Sequence, residues 1–188
     1  NDGDIFRFVA VGEGTNTLAY YATNSYGFTA SMSKGYFSRW KGLGTSIFST
    51  AGRGVAWNGT AYVAVGQGTN TIASTSDGII WSGHGSTTFT TSGYGVASND
   101  SIWVAVGQGT NTFAVSSSSY GKGWRGLGTS IFSERGRAVA WNGYMWVAVG
   151  EGTNTIAYSY DGFEWTGAGT SIFSTRGRGI SWNGTIWV

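Results

Sequence analysis

Apolar positions along this chain alternate over short runs and never settle into the three-and-four spacing of a helix face. In one stretch Gly54-Val55-Ala56-Trp57 leads into Asn58-Gly59, and Ala61-Tyr62-Val63-Ala64-Val65 leads into Gly66-Gln67-Gly68-Thr69-Asn70. Thr71-Ile72-Ala73-Ser74 then leads into Asp77-Gly78, followed by Ile79-Ile80-Trp81. Asn-Gly and Asp-Gly between alternating β-rich runs are strong hairpin signals, because the central residues of the turn must accept positive φ. The pattern predicts four short antiparallel strands, here A to D, with strand D at residues 79–81, then a Gly/Ser/Thr loop. No window predicts a helix.

The unit recurs. The string VAVGEGTNT at residues 9–17 returns as VAVGQGTNT at 63–71 and 104–112 and as VAVGEGTNT at 147–155, and a further copy begins at Val188. Successive offsets are 54, 41, 43 and 41 residues, so the first copy carries an insertion, placed within residues 21–35. GTSIFST or a close variant starts at Gly44, Gly128 and Gly169, with GSTTFTT from Gly85 as the divergent member. All ten tryptophans fall on repeat positions: Trp40, Trp81, Trp124 and Trp165; Trp57, Trp141 and Trp182; Trp103, Trp146 and Trp187. Equivalent apolar residues in every unit indicate faces that pack on neighbouring units. Four strands in about 42 residues, repeated, predict an all-β protein: a β-propeller of four-stranded antiparallel blades, with four blade equivalents and a duplicated strand at the termini. The units run approximately 1–52, 53–93, 94–136 and 137–177, with a partial unit at 178–188, in a single domain. A stacked β-solenoid is the alternative, but its coils are usually shorter and do not need two Gly-containing hairpin turns per repeat.

Composition narrows the class. The chain has 33 Gly, no Pro, no Cys, 11% charged and 16% aromatic residues. The aromatic content is too high for a solvated disordered chain, and the glycines lack the triplet period of collagen. Without Cys there is no disulfide or thiolate zinc site, and His84 alone cannot build a multi-histidine centre. The longest apolar run, residues 144–149, is too short to cross a bilayer as a helix. A net charge of +2 implies no general attraction to nucleic acid. The chain opens on Asn1 with no basic and then apolar leader, which reads as a processed end.

Ser159-Tyr160-Asp161-Gly162-Phe163-Glu164-Trp165 and Ser74-Thr75-Ser76-Asp77-Gly78-Ile79-Ile80-Trp81 resemble Asp-box repeats, the turn between the third and fourth strands of sialidase-like propeller blades. With the upstream WNG-x-x-WVAVG pattern, the resemblance covers nearly the whole chain. It implies a propeller fold and an extracellular or virion-associated setting. The Asp–Gly spacing is one residue shorter than in the family. The third copy, residues 116–124, has no Asp, and the first has Ser33-Lys34-Gly35 in its place. The family's catalytic residues map onto no motif here, so the resemblance implies no enzymatic activity, and the box itself is a structural turn.

Candidate chemistry lies in the loops. Arg53, Tyr94, Arg137 and Arg178 occupy equivalent positions at the start of strand A, with Arg135 and Arg176 two residues earlier in their units. Clustered guanidinium groups bind carboxylate or phosphate bidentately, and they repel one another without an anion. Pairing with Glu134, Glu13 and Glu151 is the alternative. Glu13, Gln67, Gln108 and Glu151 are equivalent in the Gly-x-Gly-Thr-Asn-Thr loops, as are Asn16, Asn70, Asn111 and Asn154. Their amides suit sugar hydroxyls, or else the asparagines bond their own backbone in a tight turn. Asn58, Asn99 and Asn183 match the glycosylation acceptor pattern but sit in A–B turns that themselves select Asn. His84 has no accompanying Ser or carboxylate motif and predicts no catalytic triad. Asp77 and Asp161 read as turn acceptors. The expected function is a non-catalytic, multivalent binding or display module for glycans or small anions, without cofactor or metal. Blade edges offer a route to homo-oligomers; no nucleic-acid or membrane partner is expected. A purely structural, self-assembling propeller is the alternative, and a glycosidase-like enzyme a weaker one.

Overall fold

The structure is a computed structural model describing residues 6–23 and 40–188. Most of the insertion and the first copy's Ser33-Lys34-Gly35 lie outside the described residues. Among the described residues every regular element is a strand, and no helix is long and apolar enough to cross a membrane.

The first sheet has three strands, β1 (Phe6–Val11), β2 (Leu18–Thr23) and β3 (Trp40–Gly42), in that order. The second comprises β4 (Ala51–Trp57), β5 (Tyr62–Gln67), β6 (Ile72–Thr75) and β7 (Ser82–Gly83). The third holds β8 (Ser92–Ser98), β9 (Trp103–Gln108), β10 (Phe113–Ser116) and β11 (Arg125–Gly126). The fourth holds β12 (Arg135–Trp141), β13 (Trp146–Glu151), β14 (Ile156–Ser159) and β15 (Thr166–Gly167). Each is an antiparallel meander that pairs in chain order, as the hairpin signals require. The last A-type segment forms no named strand. It touches the fourth sheet through the Gly177 amide, which donates to the Gly150 carbonyl at 3.0 Å, and folds back so that Ser181 and Val188 exchange two backbone hydrogen bonds.

Strand D lies later than the sequence pattern predicts, because the Asp turn consumes residues first. The Asp77 carboxylate accepts from the amides of Ile79 and Ile80, both at 2.8 Å, and pairing resumes only at Ser82. Asp161 does the same for Phe163 and Glu164 at 2.8 and 2.9 Å. The next tryptophan closes each turn: Nε1 of Trp81, Trp124 and Trp165 donates to the carbonyls of Gly78, Gly121 and Gly162. The third turn manages without Asp. It is two residues longer, and its Ser118 hydroxyl accepts from the Tyr120 amide at 3.3 Å.

The core lies between sheets. Leu18, Phe48, Ala64 and Ala73 pack where the first sheet meets the second. Val63, Val65, Ile72, Phe89 and Trp103 fill the next junction, and Val106, Phe113, Phe132, Val139 and Trp146 the third. Strand β4 packs beside β8, and β8 beside β12. Trp103 and Trp146 are fully buried, whereas Trp40 and Trp57 are nearly half exposed, so the repeated tryptophans do not all serve as core.

Three D–A loops each send one phenylalanine over the next sheet. Phe48, Phe89 and Phe132 are fully buried. Their rings press so closely on Gly66, Gly107 and Gly150 that a Cβ there would stand 2.6–2.7 Å from a ring carbon. Only glycine permits that approach. Phe89→Ala should therefore cost about 3–5 kcal/mol of stability in urea unfolding. Gly107→Ala, whose Cβ would also meet the Ser92 carbonyl oxygen at 2.5 Å, should destabilise strongly, whereas Gly179→Ala, with open space around it, should be close to neutral.

Candidate ligand cleft

The residues at the start of strand A owe their orientation to a repeated irregularity. The β4–β5 register slips between Gly52 and Gly54, β8–β9 between Gly93 and Gly95, and β12–β13 between Gly136 and Ala138. The extra residue in each slip is Arg53, Tyr94 or Arg137. A β-bulge leaves one residue outside the ladder and re-aims its side chain, and here three equivalent bulges point at one place. With Arg178, Gly12, Glu13, Ala51 and Gly52 these residues line an open cleft of about 410 Å³.

Every bulge side chain meets the residue fourteen positions on, at the end of strand B. Arg53 Nη2 donates to Gln67 Oε1 at 2.8 Å, and the Tyr94 hydroxyl donates to Gln108 Oε1 at 3.3 Å. Arg137 Nε pairs with Glu151 Oε1, which Arg176 Nη1 also approaches at 3.8 Å. Glu151 is 8% exposed, so its charge is held where desolvation would be costly without the two guanidiniums. The Tyr94 ring forms the floor: the guanidinium carbons of Arg53, Arg135 and Arg137 lie 5.1, 5.3 and 5.8 Å from its centroid. Arg135 Nε is buried without a hydrogen-bond partner among the described residues. Among the described residues the cleft lining itself holds three arginines, Arg53, Arg137 and Arg178, and one carboxylate, Glu13, so the lining is cationic.

The asparagines belong elsewhere. Asn70 Oδ1 accepts from the Gly85 amide at 2.9 Å, while its Nδ2 donates to the Ile47 carbonyl at 2.7 Å. Asn111 bridges Gly128 and Thr88, and Asn154 bridges Gly169 and Ile131, in the same way. These side chains neither face the cleft nor bond their own turn; they tie two D–A loops to one B–C turn. Asn16 makes half of this arrangement, accepting from Gly44 at 2.8 Å. The A–B asparagines Asn58, Asn99 and Asn183 accept from backbone amides two and three residues on, as turn formers do.

Two features escaped the sequence reading. The bulges were one, although the Gly-x-Gly frame around Arg53 and Tyr94 was their visible signal. The other is a partner for His84, whose Nε2 lies 2.8 Å from the Ser74 hydroxyl. Ser74 is buried, and no carboxylate is seen on the imidazole among the described residues, so the pair reads as a satisfied polar contact. Among the described residues no group of three or more His, Cys, Asp or Glu side chains could hold a metal. Comparison with protein-family models and with curated proteins gives no match.

Burial, reinforced by the Lys122 ammonium, holds the His84 imidazole below its ordinary value of 6.5. The folded state therefore prefers the neutral ring, and its contribution is complete above that value and lost as pH falls below it. His84→Leu, which restores the residue found at the equivalent Leu43 and Leu127, should flatten the loss of stability between pH 7 and 5 in denaturant titrations. Asp161 is held below its ordinary carboxyl value chiefly by the Glu164 amide, with the Phe163 amide and Ser159 hydroxyl adding to it and partial desolvation opposing. Its contribution is present above the ordinary carboxylate value and lost in stronger acid, so Asp161→Asn should reduce the acid sensitivity that remains below about pH 4.

Proposed function

We propose that the chain is a non-catalytic binding module that holds a small anionic ligand, such as the carboxylate of an acidic sugar or a phosphate ester, in the arginine-lined cleft. The convergence of three bulges on one cleft, with guanidiniums in excess of carboxylates, carries this reading. Guanidiniums recognise planar or tetrahedral oxyanions through paired N–H donors, and the exposed Arg53 and Arg178 are positioned to do so. The half-buried Arg137 is committed to Glu151 and serves as the fixed wall.

We further propose that the four sheets are blades of a β-propeller of the Asp-box kind. Inner strands packed side by side around a shared cleft and the Asp77 and Asp161 turns support this reading. The site is then axial, fed by every sheet, and an extracellular or virion-associated role in glycan recognition fits it. The Gly-x-Gly-Thr-Asn-Thr loops have spent their asparagine amides on the scaffold, which favours one site per chain over one per sheet.

Calorimetric titration with glucuronate, inorganic phosphate and neutral glucose tests the assignment. Selective binding of an anion with a stoichiometry near one per chain is expected, weakening with salt and about tenfold weaker in Arg53→Ala, a loss of about 1.4 kcal/mol. Binding of neutral sugar near one per sheet would move the site to the B–C loops. No binding of any of the three would leave the propeller as a structural element.

A further inference from the structure

The A–B and C–D turns of each sheet stand side by side, because the pairing of strands B and C brings them there. Trp146 pairs with Ser159 in the fourth sheet, as Tyr62 pairs with Thr75 in the second and Trp103 with Ser116 in the third. Two turn positions flank each of these pairs: the residue two before the strand B member and the residue after the strand C member. In the second sheet they are Thr60 and Ser76, and in the third Ser101 and Ser117. All four are exposed, although β8 packs against β5 and β12 against β9. A following sheet therefore leaves both positions in water, and short hydroxyl side chains serve there.

The fourth sheet places tyrosine at both. Tyr144 is 72% and Tyr160 59% exposed, and their ring centroids lie 5.5 Å apart with the planes at 72°. Tyr158, two residues earlier, stands against Tyr160 at 6.1 Å and 78°, so Tyr160 is the shared wall of two steep corners. The backbone beneath is fixed without the rings. The Tyr144 amide donates to Asn142 Oδ1 at 2.9 Å, and Asp161 accepts from the Phe163 and Glu164 amides. Thr60 and the turn after Ser76 make the same bonds in the second sheet. Aromatic rings left in water where shorter residues serve the fold equally mark a contact surface.

Charge indicates what that surface contacts. Residues 142–145 and 159–165 carry two carboxylates, Asp161 and Glu164, and no Lys or Arg, and both carboxylates are exposed. The face of a tyrosine ring is itself negative, so anions are repelled here and cations attracted. Arg125 of β11 already stacks its guanidinium on Phe163 of the same turn, 5.4 Å from the ring centroid. Aromatic walls set at a steep angle suit a cation whose charge is spread over an apolar shell, which is how quaternary ammonium groups are recognised.

We infer that Tyr144 and Tyr160 bind a quaternary ammonium group, the trimethylammonium head of choline or of a molecule that carries it, with Asp161 and Glu164 supplying the opposing charge. Arg137 stands near the start of β12 and this turn follows its end, so the site is separate from the arginine cleft and of opposite charge preference.

Titration followed by NMR, with choline, its neutral isostere having carbon in place of nitrogen, and glucose, tests the assignment. Choline should shift tyrosine ring signals with a dissociation constant on the order of millimolar, and the isostere should bind at least about tenfold more weakly. Tyr144→Thr and Tyr160→Ser restore the residues of the second sheet. Each should keep the thermal midpoint, since both rings are exposed, and weaken choline binding at least about tenfold. Glu164→Gln, which keeps every ring, should weaken binding and reduce its salt dependence, whereas Arg53→Ala should leave it unchanged. No binding of choline, equal binding of the isostere, or affinity indifferent to both tyrosine substitutions would each overturn the inference. Glucose binding that disappears with the tyrosines would overturn it in favour of a sugar-stacking surface.

Discussion

A long loop without secondary structure must find partners for its backbone polar groups or remain in water, and four such loops recur here between strand D and the next strand A. The structure answers with the buried threonine and the asparagine of each B–C turn. Thr112 Oγ1 donates to Phe132 O at 2.8 Å and lies 3.2 Å from Gly128 O, while Asn111 grips Gly128 and Thr88. Thr17 and Thr155 hold Phe48 and Phe173 by the same bond. The irregular loop is thereby fixed at two points, its phenylalanine is aimed at the next sheet, and the strand that follows starts where its bulge must fall. Packing between sheets and the geometry of the cleft both follow from this clasp.

The clasp also explains which glycines the fold requires. Gly42, Gly83, Gly126 and Gly167 sit against the asparagine side chains so closely that a Cβ would be 2.1–2.3 Å from an amide atom. These strand-end glycines and the asparagines are therefore one device, and the high glycine content reflects close approach as much as turn geometry. In the same way Gly54 and Gly95 let β4, β8 and β12 approach one another, with a Cβ at Gly95 only 3.1 Å from the Ala138 Cα. Small residues on these strands bring the bulges together, and the bulges bring guanidiniums to one cleft.

Much of this was legible in the chain. Unit length, strand order and the three kinds of turn follow from alternation and from Asn-Gly and Asp-Gly signals, because those signals act over a few residues. Strand D was misplaced because the Asp carboxylate bonds two further amides, a choice between turn and ladder that propensity does not decide. Asn70 and its equivalents read as sugar-binding amides or as local turn formers because their partners, Ile47 and Gly85, lie 23 and 15 residues away. Burial of Phe48 and exposure of Phe173 come from the same local string, GTSIFST; what differs among the described residues is whether a next sheet packs against the ring. That is a property of the assembled array, invisible to any window of sequence.

A repeat array carries the same donor and acceptor surfaces at every junction. Each described junction is therefore specific in the same way: the sheet that receives Phe48, Phe89 or Phe132 supplies a glycine against the ring, an asparagine amide for the carbonyl before it, and a strand edge for the strand that follows. Burial of each ring contributes about 1.5–3 kcal/mol, and the clasp decides where that burial can happen, so the loop that looks least ordered in the sequence is the part that sets how one sheet meets the next.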